Sequence, residues 1–137
     1  MLSASVEVRV RYGETDKMGI VYHANYLTWF EIARIDLLDS IGCPYESLED
    51  AGFFLPVLSC RVDFRKPAYF DDRLRVVARI AFSSSVRIEA EYEVFREDDL
   101  LAIGETTHAF VSGEGKVVRP PTSFLERVRQ SEEESGQ

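Results

Sequence analysis

The chain is poor in the residues that build metal and redox centres. It has two cysteines and two histidines in 137 residues. Cys43 and Cys60 match neither a zinc spacing nor a CxxC pair, so free buried thiols in a reducing cytosol are the expected state. His23 stands at no metal spacing from Asp16, and His108 is the one other imidazole. A metal site is not expected. Positive charge is scarce too. The net charge of −8 argues against sequence-independent binding to nucleic acid or anionic membrane. No apolar run approaches the ~18 residues of a membrane span. The opening "MLSASVEVRV" alternates where a signal peptide would be continuously apolar, and a cytoplasmic location is expected. There is no GxSxG elbow and no GxxxxGK[ST] loop, so serine-hydrolase and P-loop chemistry are set aside.

What the chain does have is alternation. Val6, Val8, Val10 and Tyr12 oppose Glu7, Arg9 and Arg11. Leu58, Cys60, Val62 and Phe64 oppose Ser59, Arg61, Asp63 and Arg65. Two further runs, Leu74 to Phe82 and Val86 to Val94, repeat the pattern, and a more mixed fifth runs from Leu100 to Val111. Period two predicts strands with one dry and one wet face, paired antiparallel. Ser83-Ser84-Ser85 and Glu97-Asp98-Asp99 read as hairpin loops, and "SGEGK" at 112–116 as a further turn.

One long helix fits between Asn25, as N-cap, and Gly42. Tyr26, Trp29, Phe30, Ala33, Leu37 and Ile41 recur at helical spacing. Leu27, Ile32, Ile35 and Leu38 widen the apolar surface, which predicts burial around most of the circumference. "PYESLEDAG" at 44–52 and "PPTSFLERVRQ" read as shorter helical pieces. Eighteen helical residues span ~27 Å, and strands of ten or eleven span ~33–36 Å. The lengths match, so one antiparallel sheet can wrap its dry face around the helix: an α+β fold, one domain over residues 1–130. The acidic stretch 131–137 reads as a disordered tail.

Asp16 precedes this helix in "GETDKMG". Taken alone it is an ordinary turn carboxylate. The free N–H groups and dipole of a buried helix start, however, form a site for developing negative charge. An acid just before such an end can attack a carbonyl, or activate water against it. Gly19 would let backbone approach a ligand closely. His23 reads as a hydrogen-bonded residue near the helix start, and His108 as structural. Glu31 reads as an exposed carboxylate or a partner of Arg34.

The run "YGETDKMGIVYHANYLTWFEIAR" resembles the signature of hotdog-fold acyl-CoA thioesterases of the 4-hydroxybenzoyl-CoA thioesterase type, which include the Tol–Pal-associated enzymes. The match is carried by Tyr12, Thr15, Asp16, Gly19, Val21, Tyr22, His23, Asn25, Tyr26, Trp29, Phe30, Glu31 and Arg34. The resemblance covers about residues 5–120. It implies a five-stranded antiparallel sheet around one helix, joined edge to edge in a homodimer, often doubled to a homotetramer. It implies cofactor-free thioester hydrolysis, with Asp16 as nucleophile or general base. Backbone N–H groups of Tyr22 and His23 would form the oxyanion hole, with His23 a helper, and Gly19, Val21 and Tyr26 beside the substrate.

An acidic protein that takes coenzyme A needs local cations. Arg65, Lys66 and Arg87 stand at strand ends and hairpins and are the leading candidates, although arginines on a wet sheet face also pair with neighbouring glutamates. Three alternatives stay open: a non-catalytic acyl-CoA-binding or assembly module, hydrolysis of acyl carrier protein thioesters, and hydrolysis of 1,4-dihydroxy-2-naphthoyl-CoA.

Overall fold

Period-two alternation becomes five strands in the computed structural model, which describes residues 2–82 and 86–135. They are β1 (Leu2–Arg9), β2 (Val57–Phe64), β3 (Arg73–Phe82), β4 (Arg87–Arg96) and β5 (Asp99–Ala109). All pairings are antiparallel, in the order β1-β3-β4-β5-β2. The long helix, α1 (Asn25–Ser40), lies in the crossover between β1 and β2, with the short α2 (Tyr45–Asp50) behind it. A third helix, α3 (Thr122–Ser135), ends the described chain. Val111 bridges Val117, so the chain folds back after β5 as the "SGEGK" turn predicts. The triple-serine loop lies outside the described residues.

The dry faces of β3 and β4 meet α1. Leu74, Val76, Ala78 and Ile80 are buried, as are Ile88, Ala90, Tyr92 and Val94. Phe30 of α1 stacks on Tyr92, with ring centres 4.3 Å apart and planes 7° from parallel. The same face of α1 buries Tyr26, Trp29, Ala33, Leu37 and Leu38. No helix among the described residues is long and apolar enough to cross a membrane.

Several expectations are corrected. Helix α1 is not buried around most of its girth: Leu27 and Ile32 are 39% and 44% exposed, because the sheet covers one side of it only. Asn25 is the first helical residue and not the cap, and its side chain donates backwards to the Glu14 carbonyl at 2.9 Å. Tyr12 leaves the dry face where β1 ends in a 3-10 turn at Tyr12–Glu14, and stands exposed against Phe70. Strand β2 has little dry face: Leu58, Cys60 and Phe64 are exposed. It is an edge strand paired only with β5, and α1 packs chiefly on β1 and β3. The acidic stretch is helical to Ser135. Its glutamates are good helix formers that extend a helix anchored by buried Phe124 and Val128.

Candidate active site

The site is built by a loop that folds back on itself. After the 3-10 turn, Thr15 bridges Val21, the Asp16 N–H donates to the Ile20 carbonyl at 2.9 Å, and the Gly19 N–H donates to the Asp16 carbonyl at 2.9 Å. Gly19 takes φ +81°, the left-handed conformation the reversal requires. Two contacts tie this loop to the β2–β3 connection. Ile20 bridges Tyr69, and the Val21 N–H donates to the Ala68 carbonyl at 2.9 Å.

The loop aims its carboxylate. Asp16 Oδ1 accepts the Met18 N–H at 2.8 Å, which fixes the side-chain rotamer. Oδ2 has no hydrogen-bond partner among the described residues. On the other side of the loop the chain turns into α1. The Tyr22 N–H donates to the Glu14 carbonyl at 2.8 Å, so it is spent. The N–H groups of His23 and Ala24 have no acceptor among the described residues. They stand ahead of a sixteen-residue helix, at its positive end.

Asp16 and His23 line one cleft of about 560 Å³, a size that suits a small organic group. Its apolar wall comes from Val21, Tyr26 and Phe64, with Met18, Ile20 and Pro67 beside them. Tyr26 is buried, edge-on to Phe64 at 5.0 Å and tilted against Trp29 at 4.8 Å. Burial pushes its phenol above the ordinary value, and Arg96 pulls the other way. The cationic rim is Arg65 and Lys66, whose N–H groups both donate to the Leu101 carbonyl as β2 ends. Lys66 Nζ meets Asp99 at 3.1 Å.

The structure therefore brings together Asp16, Val21, His23, Tyr26, Arg65 and Lys66. Three expected residues stand apart. The Tyr22 N–H is occupied, and its exposed ring leans on His23 at 4.4 Å. Gly19 is exposed and does not line the cleft; its conformation, not close approach, explains it. Arg87 opens β4 opposite Ala109. Arg96, at the site's end of that strand, is about 30 Å further on at ~3.3 Å per residue. Met18, Ile20, Phe64, Pro67 and Arg96 were missed. Arg96 holds the β2–β3 connection by donating to the Pro67 carbonyl at 3.1 Å and to Asp72 at 2.8 Å. The aromatic Phe64 at the end of an edge strand was the readable signal.

His108 lies in the core, away from the cleft. Its Nε2 meets Thr106 Oγ1 at 2.8 Å, Thr106 meets the Tyr92 hydroxyl at 2.7 Å, and Arg34 Nη1 donates to that hydroxyl at 3.0 Å. Arg34 is thus buried on a tyrosine and not paired with exposed Glu31.

Residues 10–128 match the family model of the thioesterase-like superfamily. The crystal structure of a hypothetical protein from Aquifex aeolicus superposes with a TM-score of 0.86 at 35% identity, over 90% of this chain and 98% of that one. The DHNA-CoA thioesterase of Staphylococcus aureus gives a TM-score of 0.90 at 30% identity, over 100% and 97%. The acyl-CoA thioesterase YbgC of Haemophilus influenzae is 32% identical over 99 residues, 72% of this chain and 73% of its own length.

Proposed function

The chain belongs to the thioesterase-like superfamily, with its hotdog fold and thioester-hydrolase activity, and we propose that it cleaves acyl-CoA to free acid and coenzyme A with Asp16 as the catalytic carboxylate. One observation carries the reading: Asp16, with a carboxylate oxygen that has no partner among the described residues, and His23, with an N–H that has no acceptor among them, line the same apolar cleft. The thioester oxygen would sit on the His23 N–H, where the helix dipole favours the charge that develops in the tetrahedral intermediate. Tyr22 drops out of this role, and Ala24 is the neighbouring donor. Asp16 either adds to the carbonyl carbon, giving an anhydride that water opens, or takes a proton from the attacking water. In both routes the thiolate of coenzyme A leaves and is protonated, and no cofactor is required.

The apolar wall receives the acyl group, while Arg65 and Lys66 face the phosphates at the rim. An aromatic acyl group, as in the Staphylococcus aureus relative's substrate, and an aliphatic one both suit Tyr26 and Phe64. We also propose a homo-oligomer joined along β2. That strand leaves its outer edge unpaired among the described strands and shows exposed Val57, Leu58 and Phe64. Phe64 belongs to the cleft as well, so a second copy there would wall it. Free thiols at Cys43 and Cys60 suit a cytoplasmic setting.

The test is a panel of short, long and aromatic acyl-CoAs and acyl carrier protein thioesters, with wild type and Asp16→Asn. The variant should lose ~10²-fold or more of kcat. Retention of more than about a tenth of the activity would exclude Asp16 as the catalytic group. Acyl-CoA binding in calorimetry without turnover by wild type would favour the binding-module reading instead.

A further inference from the structure

Glu14 is a carboxylate inside the fold, 7% exposed, that no step of the proposed reaction uses. Carboxylates are rarely buried unless they are paired or hydrogen-bonded. Here the bonds converge on one place. Oε1 accepts the Arg11 N–H at 2.7 Å. Oε2 accepts the Trp29 indole N–H at 3.2 Å and a long contact from the Arg11 guanidinium at 3.5 Å. The backbone carbonyl of the same residue accepts the Tyr22 N–H at 2.8 Å and the Asn25 side-chain amide at 2.9 Å.

These five contacts tie four residues to Glu14. Arg11 ends the stretch that follows β1. Tyr22 immediately precedes His23. Asn25 is the first residue of α1, and Trp29 is one turn along it. Asp16 lies two residues beyond Glu14, so the carboxylate and the free N–H hang from opposite sides of one anchor. Trp29 also packs on Tyr26, which lines the cleft.

We propose that Glu14 is a positioning residue: its side chain clamps the 3-10 turn onto Trp29 and thereby sets the separation of Asp16 from the His23 N–H. The proposal rests on the thioesterase reading, in which those two groups act on one carbonyl. The physical reason for the clamp is orientation. A displacement of about 1 Å between groups acting on one reacting centre can cost ~10²-fold in rate. The loop from Thr15 to Val21 is held chiefly by backbone bonds, so it needs a fixed base. Glutamine cannot replace the clamp in full, since one carbonyl oxygen faces three donors where the carboxylate offers two oxygens.

The experiment compares kcat and KM for one good acyl-CoA substrate among wild type, Glu14→Ala, Glu14→Gln, Trp29→Phe, the double variant Glu14→Ala/Trp29→Phe, and Asp16→Asn. Amide exchange at Tyr22 is followed in the same proteins. Glu14→Ala should lower kcat ~10²-fold while KM stays within about threefold, and should speed exchange at Tyr22. Glu14→Gln should fall between the two. The double variant should be no slower than Glu14→Ala alone, because the two side chains act as one unit. If Glu14→Ala does not fold, Glu14→Gln and Trp29→Phe carry the same comparison. A kcat within about threefold of wild type, or a lost kcat with unchanged exchange at Tyr22, overturns the proposal. Asp16→Asn separates the two readings. An active Asp16→Asn sinks the role of Asp16 and with it the positioning role of Glu14, whereas an inactive Asp16→Asn beside an active Glu14→Ala sinks that of Glu14 alone.

Discussion

Phe30 lies so close over Gly104 that a β-carbon at that glycine would stand 2.4 Å from its ring. Gly104 sits in β5 between Val62 of β2 and Tyr92 of β4. The missing side chain is what lets α1 settle onto the sheet with Phe30 flat on Tyr92. Gly104→Ala should therefore act as an overpacking change and cost about 1–3 kcal/mol. Phe30→Leu in the same chain should recover part of that loss by vacating the space. Urea unfolding of the single and double variants measures both, and strict additivity would refute the contact's role.

His108 makes stability depend on pH. Burial, with the Arg34 charge second, lowers its pKa from 6.5 to about 4. Its Nδ1 has no well-formed hydrogen bond, although the Leu55 and Pro56 backbone is near enough to favour the protonated ring slightly. The unfolded chain binds this proton more readily than the folded one. The fold therefore has its full stability above about pH 6.5 and loses it as pH falls toward 4. The loss approaches about 3 kcal/mol. His108→Gln should flatten that window. Unfolding midpoints at several pH values across it, for wild type and variant, check the difference, and parallel curves would refute it.

The cationic rim should read the nucleotide end of the substrate and nothing else. Arg65→Ala/Lys66→Ala should raise KM for acyl-CoA several-fold, since exposed charge contacts are worth about 0.2–1 kcal/mol each. It should leave kcat unchanged. The KM for the matching acyl-pantetheine thioester, which lacks the nucleotide, should not move. Added salt should shrink the difference for acyl-CoA. Equal effects on both substrates would place Arg65 and Lys66 in a structural role.

How far the sequence could be read depends on the kind of contact. The alternation of Leu74–Ile80 and Ile88–Val94 was legible because each position faces the helix or the solvent, and period two reports that directly. The same alternation in β2 misled, because it cannot tell whether anything lies opposite Leu58 and Cys60. Arg65 and Arg87 look alike as alternating arginines. Only the register, with Arg87 opposite Ala109, puts one at the cleft and the other at the far end. Tyr22 and His23 are adjacent candidates for one role, and a single bond to the Glu14 carbonyl separates them. The acidic stretch 131–137 reads as a disordered tail, but a helix needs an anchor on one face only, and Phe124 against Phe110 supplies it for the helix that runs to Ser135. Asp16 was legible through its motif, and its loop geometry was not.

Strand β2 offers the last prediction. Its exposed Val57, Leu58 and Phe64, and an outer edge unpaired among the described residues, make it a place where a second copy would add. Leu58 is 48% exposed in one copy, so a charge there costs a lone chain little and is penalised only when the edge is covered. Leu58→Asp should therefore leave thermal unfolding of the monomer nearly unchanged while weakening self-association in sedimentation. Activity should fall with association, because Phe64 and Arg65 at the end of β2 would lose the neighbour that closes their cleft. Raising protein concentration should restore association and activity together. A wild type that sediments as a monomer at micromolar concentration and is fully active there would show that one copy's cleft suffices.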